Sequence, residues 1–180
     1  MRKTIYAFIY FKVMKWKLIG HFPKQLKKYV VIGAPHTHMY DLFLGFLIRQ
    51  IQSTDIKFVA KKELFKGPVG WLLRKSGGIA LDRTPGQNKV DAISELFEKK
   101  EALRLTILPE GTRKKVSEWK TGFYYIAKKA NVPIVMVTYD YANGQMKISE
   151  PFYPTDNKEA DFKLMYGYFD GIIGKIPEYS

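Results

Sequence analysis

The sequence predicts a single α/β domain, a mostly parallel mixed sheet flanked by helices. Apolar runs of strand length alternate along the chain with segments of helical periodicity. No repeat, low-complexity tract or linker divides the chain. At 180 residues and 46% hydrophobic content, one domain can bury about 70% of the surface of the unfolded chain. Strands that alternate with helices typically form a parallel sheet covered by helices.

Residues 1–20 predict a basic, aromatic helix, separate from a domain at 21–180. The longest uncharged apolar run, Ile5 to Phe11, is too short to span a bilayer, and no signal-peptide cleavage site follows it. Helical spacing gives two apolar stripes on opposite sides, one with Ala7, Phe11, Met14 and Leu18 and the other with Ile5, Ile9 and Trp16. Such a helix can lie at a lipid interface; an ordinary helix docked on the core is the alternative.

The rest of the chain predicts six strands and five helices. The strands are expected at Tyr29–Ala34, Ile56–Ala60, Gly78–Leu81, Arg104–Leu108, Ile134–Tyr139 and Gln145–Ile148. The helices are expected at Asp41–Ile51, Pro68–Lys75, Gln87–Lys100, Gly122–Ala130 and Lys158–Ile173. Asp and Pro are both common at the start of a helix, as at Asp41 and Pro68.

The net charge of +13 predicts a polyanionic partner: nucleic acid, an anionic membrane leaflet or an acidic carrier protein. We expect no nucleic acid, because the chain shows no RNA-binding strand signature, zinc spacing or recognition helix. The nucleotide-binding loops and the G-x-S-x-G of serine hydrolases are also missing. The chain has no cysteine, which excludes disulfides and thiolate metal sites.

Polar residues follow three of the predicted strands, at the carboxyl ends where α/β sheets bind ligands. After the first strand, His36 and Asp41 supply an imidazole and a carboxylate, the parts of a general base and its orienter. A loop histidine and a helix-capping aspartate are the alternative. After Gly78–Leu81 comes Arg83, whose guanidinium suits phosphate. A salt bridge from Arg83 to Asp82 is the alternative.

The third strand end carries Glu110, Gly111, Thr112 and Arg113, which combine a carboxylate, a flexible glycine, a hydroxyl and a cation. A turn with solvated charges is the other interpretation. Shortly afterwards Lys120 precedes the helix that begins at Gly122. Free backbone N–H groups at a helix start favour an anion.

In order and content these blocks resemble the glycerolipid acyltransferase family, whose best-known members are the 1-acylglycerol-3-phosphate (lysophosphatidic acid) acyltransferases. The matched blocks are the HX4D motif at His36–Asp41, the Gly-rich block at 77–83, Leu108–Arg113, Lys120–Gly122 and Val132–Val137. Three positions depart from the usual pattern: Leu108 replaces a Phe, Met136 replaces a Pro, and Trp119 stands where Phe is common.

The resemblance implies transfer of a fatty acyl group from acyl-CoA or acyl-carrier protein to the hydroxyl of a lysophospholipid or related lysolipid, by default 1-acylglycerol-3-phosphate. His36 would take the proton from the hydroxyl and Asp41 would hold the imidazole. The residues expected to bind the acceptor are Arg83, Glu110, Gly111, Thr112, Arg113 and Lys120. No cofactor and no metal are implied.

The apolar product requires a site that opens onto a membrane, so we expect a peripheral protein on the cytoplasmic side of an anionic membrane. An acyl carrier protein is a second expected partner. Two alternatives stay open. The acceptor can be an amino-acid lysolipid without phosphate, or the protein can be a lipid-binding protein without catalysis, which would not need His36 and Asp41.

Overall fold

The computed structural model describes residues 2–81 and 88–180. Its strands are β1 (Lys17–Ile19), β2 (Lys28–Ala34), β3 (Ile56–Lys61), β4 (Gly78–Leu81), β5 (Leu103–Ile107), β6 (Ile134–Thr138) and β7 (Gln145–Lys147). Its α-helices are α1 (Arg2–Ala7), α2 (Tyr40–Ile51), α3 (Gly67–Lys75), α4 (Lys89–Lys99), α5 (Gly122–Lys129) and α6 (Lys158–Phe169). A π-helix (Phe8–Val13) extends α1, and 3-10 turns lie at Lys62–Phe65 and Pro177–Tyr179.

The predicted fold class is confirmed. Five strands form one sheet in the order β4-β3-β5-β2-β6, and every pair of neighbours is parallel. The strand predicted at Gln145–Ile148 is present as β7, which pairs with β1 in a separate two-stranded sheet. The last helix ends at Phe169 and not at Ile173, since Gly171 adopts a positive φ of 69° that does not continue a helix.

The central strands bury both of their faces. Along β2, Val30 and Ile32 face one apolar cluster together with α4, α5 and α6, whereas Tyr29 and Val31 face a second cluster together with the N-terminal helix and α2. Successive side chains of a strand point to opposite faces, so a strand between two helical layers needs apolar residues throughout. This explains the continuous apolar runs in the sequence.

The N-terminal segment is shorter as a helix than predicted. Helical structure ends at Val13, and residues 17–19 form β1 instead. The predicted stripes are also wrong in part: Ala7, Ile9 and Met14 pack on the core, whereas Phe11 is exposed. The π-helix widens the turn, so a spacing extrapolated at 3.6 residues fails beyond Ala7. A domain boundary at residue 20 stays a prediction.

The same segment has one face in the core and one in solvent. Tyr10 is completely buried and donates a hydrogen bond to the carbonyl oxygen of Lys17 at 3.1 Å. Exposed apolar side chains lie at Ile5, Phe8, Phe11 and Val13. Among the described residues, no helix combines the length and hydropathy that a bilayer crossing needs.

Candidate active site

Three neighbouring strands place the site, because β5, β2 and β6 are parallel and end at the same edge of the sheet. Ile32 of β2 lies beside Ile107 of β5, and Ala34 lies beside Thr138 of β6. The loops that follow these strands therefore meet. They bring together Glu110 from the first, His36 from the second and Tyr141 from the third.

His36 and Asp41 form the predicted pair. Nδ1 of His36 lies 3.0 Å from Oδ2 of Asp41, and both side chains are buried. The same carboxylate oxygen accepts hydrogen bonds from the backbone N–H groups of Thr37 at 3.0 Å and His38 at 2.9 Å. Asp41 thus has two roles. It fixes the backbone of the loop at Thr37 and His38, and it holds the imidazole of His36.

Asp41 is held ionised by its neighbours. Burial alone would raise the pKa of its carboxyl group, but hydrogen bonds from His36, Tyr141 and the backbone of His38 outweigh that cost and lower the pKa below its usual value. An ionised carboxylate can only accept hydrogen bonds, so Nδ1 of His36 is the donor of this pair. Nε2 is then the ring nitrogen that can accept a proton.

Tyr141 is a site residue that the sequence interpretation missed. Its hydroxyl donates a hydrogen bond of 2.6 Å to Oδ1 of Asp41, the oxygen that His36 does not use. Burial, together with this bond, raises the pKa of Tyr141 and keeps the hydroxyl protonated as a donor. In the sequence, Tyr141 could be recognised as a site candidate only because it follows a buried strand. The order of the strands in the sheet is needed to show that this strand, β6, lies beside β2.

Glu110 supports the histidine loop from the other side. Its buried carboxylate accepts a hydrogen bond from the backbone N–H of His36 at 2.8 Å. Burial raises its pKa, and the hydrogen bond from His36 offsets this only in part. The side chain predicted to bind the acceptor thus holds the backbone of the residue that would be the base. Its role toward an acceptor stays a prediction.

The other residues of this block form an exposed basic loop beside Glu110. Gly111 has a φ of 66°, and a Cβ there would lie 2.7 Å from Nζ of Lys120, so glycine lets the lysine lie across the loop. Thr112 and Arg113 are exposed. In the described part of the chain, no acidic side chain pairs with Arg113 or Lys120. Both cations are therefore available to an anion.

Arg83 lies outside the described residues. The strand before it, β4, ends at Leu81 on the edge of the sheet. Two strand spacings, about 10 Å, separate β4 from β5. Phosphate binding by Arg83 therefore stays a prediction.

The C-terminal segment closes over the histidine loop, a contact that no sequence pattern indicated. The hydroxyl of Thr37 accepts a hydrogen bond from the backbone of Ile176 at 3.1 Å. The backbone of Tyr141 donates to the carbonyl of Ile173 at 2.8 Å. Lys175 lies over the ring of Tyr40, 4.2 Å from its centroid. These contacts hold the loops after β2 and β6 together.

His38 has a structural contact in this loop. Its Nδ1 accepts a hydrogen bond of 3.1 Å from the backbone of Tyr40, at the start of α2. No group of three or more His, Cys, Asp or Glu side chains within residues 2–81 and 88–180 could hold a metal ion. The prediction that the site uses no metal is not tested by this observation.

A model of the acyltransferase family matches residues 17–140, which include every site residue described so far except Tyr141 and the C-terminal segment. The chain belongs to the acyltransferase family. This membership agrees with the resemblance to the family that the HX4D and Glu-Gly-Thr-Arg blocks indicated. In the structure these two blocks follow the neighbouring strands β2 and β5.

Several relatives of this acyltransferase-family chain bear the same name, 1-acyl-sn-glycerol-3-phosphate acyltransferase. The protein of Saccharomyces cerevisiae is 33% identical over 129 residues, covering 67% of this chain and 41% of the relative. The human beta enzyme is 26% identical over 152 residues, covering 82% and 54%. This chain therefore spans about half the length of these relatives.

The fold also has a solved counterpart within the family. The crystal structure of the 1-acyl-sn-glycerophosphate (LPA) acyltransferase of Thermotoga maritima superimposes with a TM-score of 0.60 at 22% identity. The match covers 93% of this chain and 79% of the other. At this identity the likeness establishes the α/β architecture.

Proposed function

We propose that this chain transfers a fatty acyl group from a thioester, acyl-CoA or acyl-carrier protein, to the hydroxyl of a lysolipid. The observation that carries the proposal is the buried His36–Asp41 pair, with Nδ1 and Oδ2 3.0 Å apart, at the carboxyl edge of the sheet. Family membership and the names of the relatives support the same reaction.

In the proposed reaction His36 is the general base. Its Nε2 takes the proton of the acceptor hydroxyl while the hydroxyl oxygen attacks the thioester carbonyl carbon. Asp41 holds the imidazole in the correct tautomer and stabilises its positive charge. The tetrahedral intermediate then collapses, the C–S bond breaks, and the thiolate leaves with the proton returned by His36. The products are the acylated lipid and the free thiol.

We infer that the default acceptor is 1-acylglycerol-3-phosphate. Arg113 and Lys120 supply exposed positive charge beside Glu110, and a guanidinium can bind phosphate with two parallel hydrogen bonds. Arg83 is proposed as a further phosphate ligand. A carboxylate would also suit these cations, so an amino-acid lysolipid is the competing acceptor within the same reaction.

The proposed place of action is the cytoplasmic surface of an anionic membrane. The N-terminal helix supports this with exposed Ile5, Phe8 and Val13, which alternate with exposed lysines at Lys3 and Lys12. Apolar side chains interleaved with lysines are typical of helices that lie in the headgroup region. A membrane-bound enzyme receives its lysolipid and releases its apolar product without exposing either to water.

The test is thiol release and product mass, measured with purified protein, acyl-CoA or acyl-carrier protein, and a panel of lysolipids. We expect turnover with 1-acylglycerol-3-phosphate. His36→Ala should lower kcat by about 10²–10⁴-fold, the usual contribution of a positioned base, while binding of the thioester persists. The matched control is His21→Ala, since His21 is an exposed loop residue.

The outcomes separate the alternatives. Residual activity of His36→Ala within tenfold of the parent would refute the base. Turnover with an amino-acid lysolipid and none with 1-acylglycerol-3-phosphate would refute the phosphate acceptor and keep the reaction. If the protein binds lipid but releases no thiol from either donor, the alternative of a lipid-binding protein without catalysis is supported.

A further inference from the structure

The short helix α3 exposes apolar side chains to an unusual degree. Val69 and Trp71 are each 60% exposed, and Leu72 is 57% exposed. Leu64, in the 3-10 turn before the helix, is exposed as well. By contrast, the exposed side chains of α4 are all charged: Lys89, Glu95, Glu98 and Lys99. A helix that faces water normally has polar residues on its outer side, so the outer side of α3 suits a less polar surrounding.

The helix α3 belongs to the same layer as the N-terminal helix. Both α2 and α3 connect parallel strands in the same direction across the sheet, and right-handed crossovers therefore place them on the same face. Arg49 of α2 donates a hydrogen bond to the carbonyl of Ser76, just after α3. At the other end of the layer, Tyr6 packs edge-on against Phe46 of α2, with ring centroids 5.7 Å apart.

The helix between them continues the apolar exposure. Leu42 and Phe43 directly follow Asp41 and are exposed, as is Met39 in the loop before them. Three adjacent helices thus present large apolar side chains on one side of the molecule. In the described part of the opposite layer, such exposure is limited to Tyr125, Leu164 and Tyr166.

Charge identifies the kind of surface that α3 fits. The segment 61–75 carries five basic residues and one acidic residue. Lys61, Lys66 and Lys75 are exposed, and the ammonium of Lys75 lies 4.7 Å from the centroid of the Trp71 ring. Tryptophan beside lysine is the combination enriched at membrane–water interfaces. Two copies of this chain joined through α3 would bring lysines face to face, which disfavours a second copy.

We propose that α3 is a second membrane contact, which inserts Val69, Trp71 and Leu72 into the headgroup region of an anionic bilayer. Lys75 of the helix and Lys61 and Lys66 just before it bind lipid phosphates. This deepens the proposed function, since it rests on a lipid substrate held in the membrane. The N-terminal helix and α3 then contact the bilayer on either side of Leu42 and Phe43. The acyl chain of the acceptor reaches Asp41 and His36 along that apolar surface.

The first test uses vesicles whose acyl chains carry bromine, which quenches tryptophan fluorescence at contact. Trp16 is buried, and Trp119 packs against Phe123, Tyr166 and Phe169, so we expect Trp71 to supply most of the quenching. Vesicles of phosphatidylcholine with phosphatidylglycerol should quench the parent, and Trp71→Phe should lose that quenching while it still binds. Quenching that is unchanged in Trp71→Phe overturns the proposal.

The second test measures affinity and turnover. The double variant Val69→Ser with Leu72→Ser should lower vesicle affinity about tenfold, whereas the matched exposed leucine of the opposite layer, Leu164→Ser, should leave it unchanged. The α3 variant should keep its kcat on short-chain, water-soluble substrates and lose turnover only on vesicle-embedded acceptor. The proposed contact is overturned if the parent, the α3 double variant and Leu164→Ser bind vesicles with equal affinity. It is also overturned if light scattering shows a dimer that the α3 double variant loses while that variant keeps the vesicle affinity of the parent.

Failure of the proposed function gives a different result. A parent protein that releases no thiol with any substrate would refute the acyltransferase reaction, yet the quenching measurement needs no substrate and still decides whether α3 touches lipid. A circular dichroism melt of each variant checks that it is folded. Because Val69, Trp71 and Leu72 are exposed, we expect parental melting temperatures.

Discussion

At the scale of single residues, the site is organised around the carboxylate of Asp41. One oxygen accepts hydrogen bonds from the imidazole of His36 and from two backbone N–H groups, and the other accepts from Tyr141. These donors come from the loop after β2 and the loop after β6. The position of the His36 imidazole, the proposed base, therefore depends on contacts across two strands, and not only on the spacing of five within the HX4D motif.

Removal of the Tyr141 hydroxyl is expected to weaken the proposed base, His36, without changing substrate binding. Tyr141→Phe deletes one hydrogen bond to an ionised group, worth about 1.5–3 kcal/mol, and should lower kcat about tenfold with KM unchanged. Because that bond helps to lower the pKa of Asp41, its loss raises the pKa. Asp41 then becomes protonated at a higher pH on acidification, so the acid limb of the kcat profile should move to higher pH.

The measurement is the pH dependence of kcat for the parent and the variant. Tyr153→Phe is the control, since Tyr153 is an exposed loop residue. A purely structural role for Tyr141 would lower stability and leave the acid limb in place, and that result would contradict the prediction.

At the scale of elements, α6 is joined to α5 through a buried carboxylate. Asp161 of α6 accepts hydrogen bonds from the hydroxyl of Tyr124 at 2.9 Å and from the backbone and hydroxyl of Thr155 at 2.6 and 2.8 Å. Tyr124 is fully buried in α5. This network ties the loop before α6 to the helical layer that covers one face of the sheet.

Asp161→Ala is expected to destabilise the fold by about 1–3 kcal/mol, because it removes a buried carboxylate that accepts three hydrogen bonds from Tyr124 and Thr155. The readout is the free energy of unfolding in urea. Asp156→Ala serves as the control. The fully exposed Asp156 pairs with Lys128 at 2.9 Å, and surface pairs contribute little, so the stability of this variant should be unchanged. Equal losses in the two variants would show that the network does not hold α6.

At the scale of the whole molecule, the two helical layers differ in what they expose. The layer of the N-terminal helix, α2 and α3 presents apolar side chains among lysines, whereas the described part of the layer of α4, α5 and α6 presents mostly charged residues. The net charge of +13 favours an anionic surface. We propose that both properties orient the same layer toward a membrane, with the site at one edge of it.

Association with anionic vesicles is therefore expected to weaken as salt rises, because the screening length falls from about 10 Å at 0.1 M to about 3 Å at 1 M. Co-sedimentation across this range measures it. Vesicles of phosphatidylcholine alone are the control, on which only the salt-insensitive apolar contribution remains. Binding to anionic vesicles that does not change with salt would contradict an electrostatic contribution from the basic residues.

Much of this architecture could be predicted from local pattern. The buried strands β2, β5 and β6 are continuous apolar runs, and α2 begins within one residue of the predicted Asp41. The extent of the N-terminal helix could not be predicted, because a π-helix and the strand Lys17–Ile19 depend on packing against α2 and on pairing with β7. Neither the π-helix nor the pairing of β1 with β7 can be recognised from the spacing of hydrophobic residues in the sequence.

By itself the sequence determined the α/β class, the HX4D pair and the basic character of the surface, since these depend on periodicity, short spacing and composition. Only the tertiary structure decided that Tyr141 holds the second oxygen of Asp41, that Glu110 holds the backbone of His36, and that α3 leaves Trp71 exposed. The order of strands in a sheet decides which loops meet, and hydrogen bonds across 100 or 74 positions form only after the chain has folded.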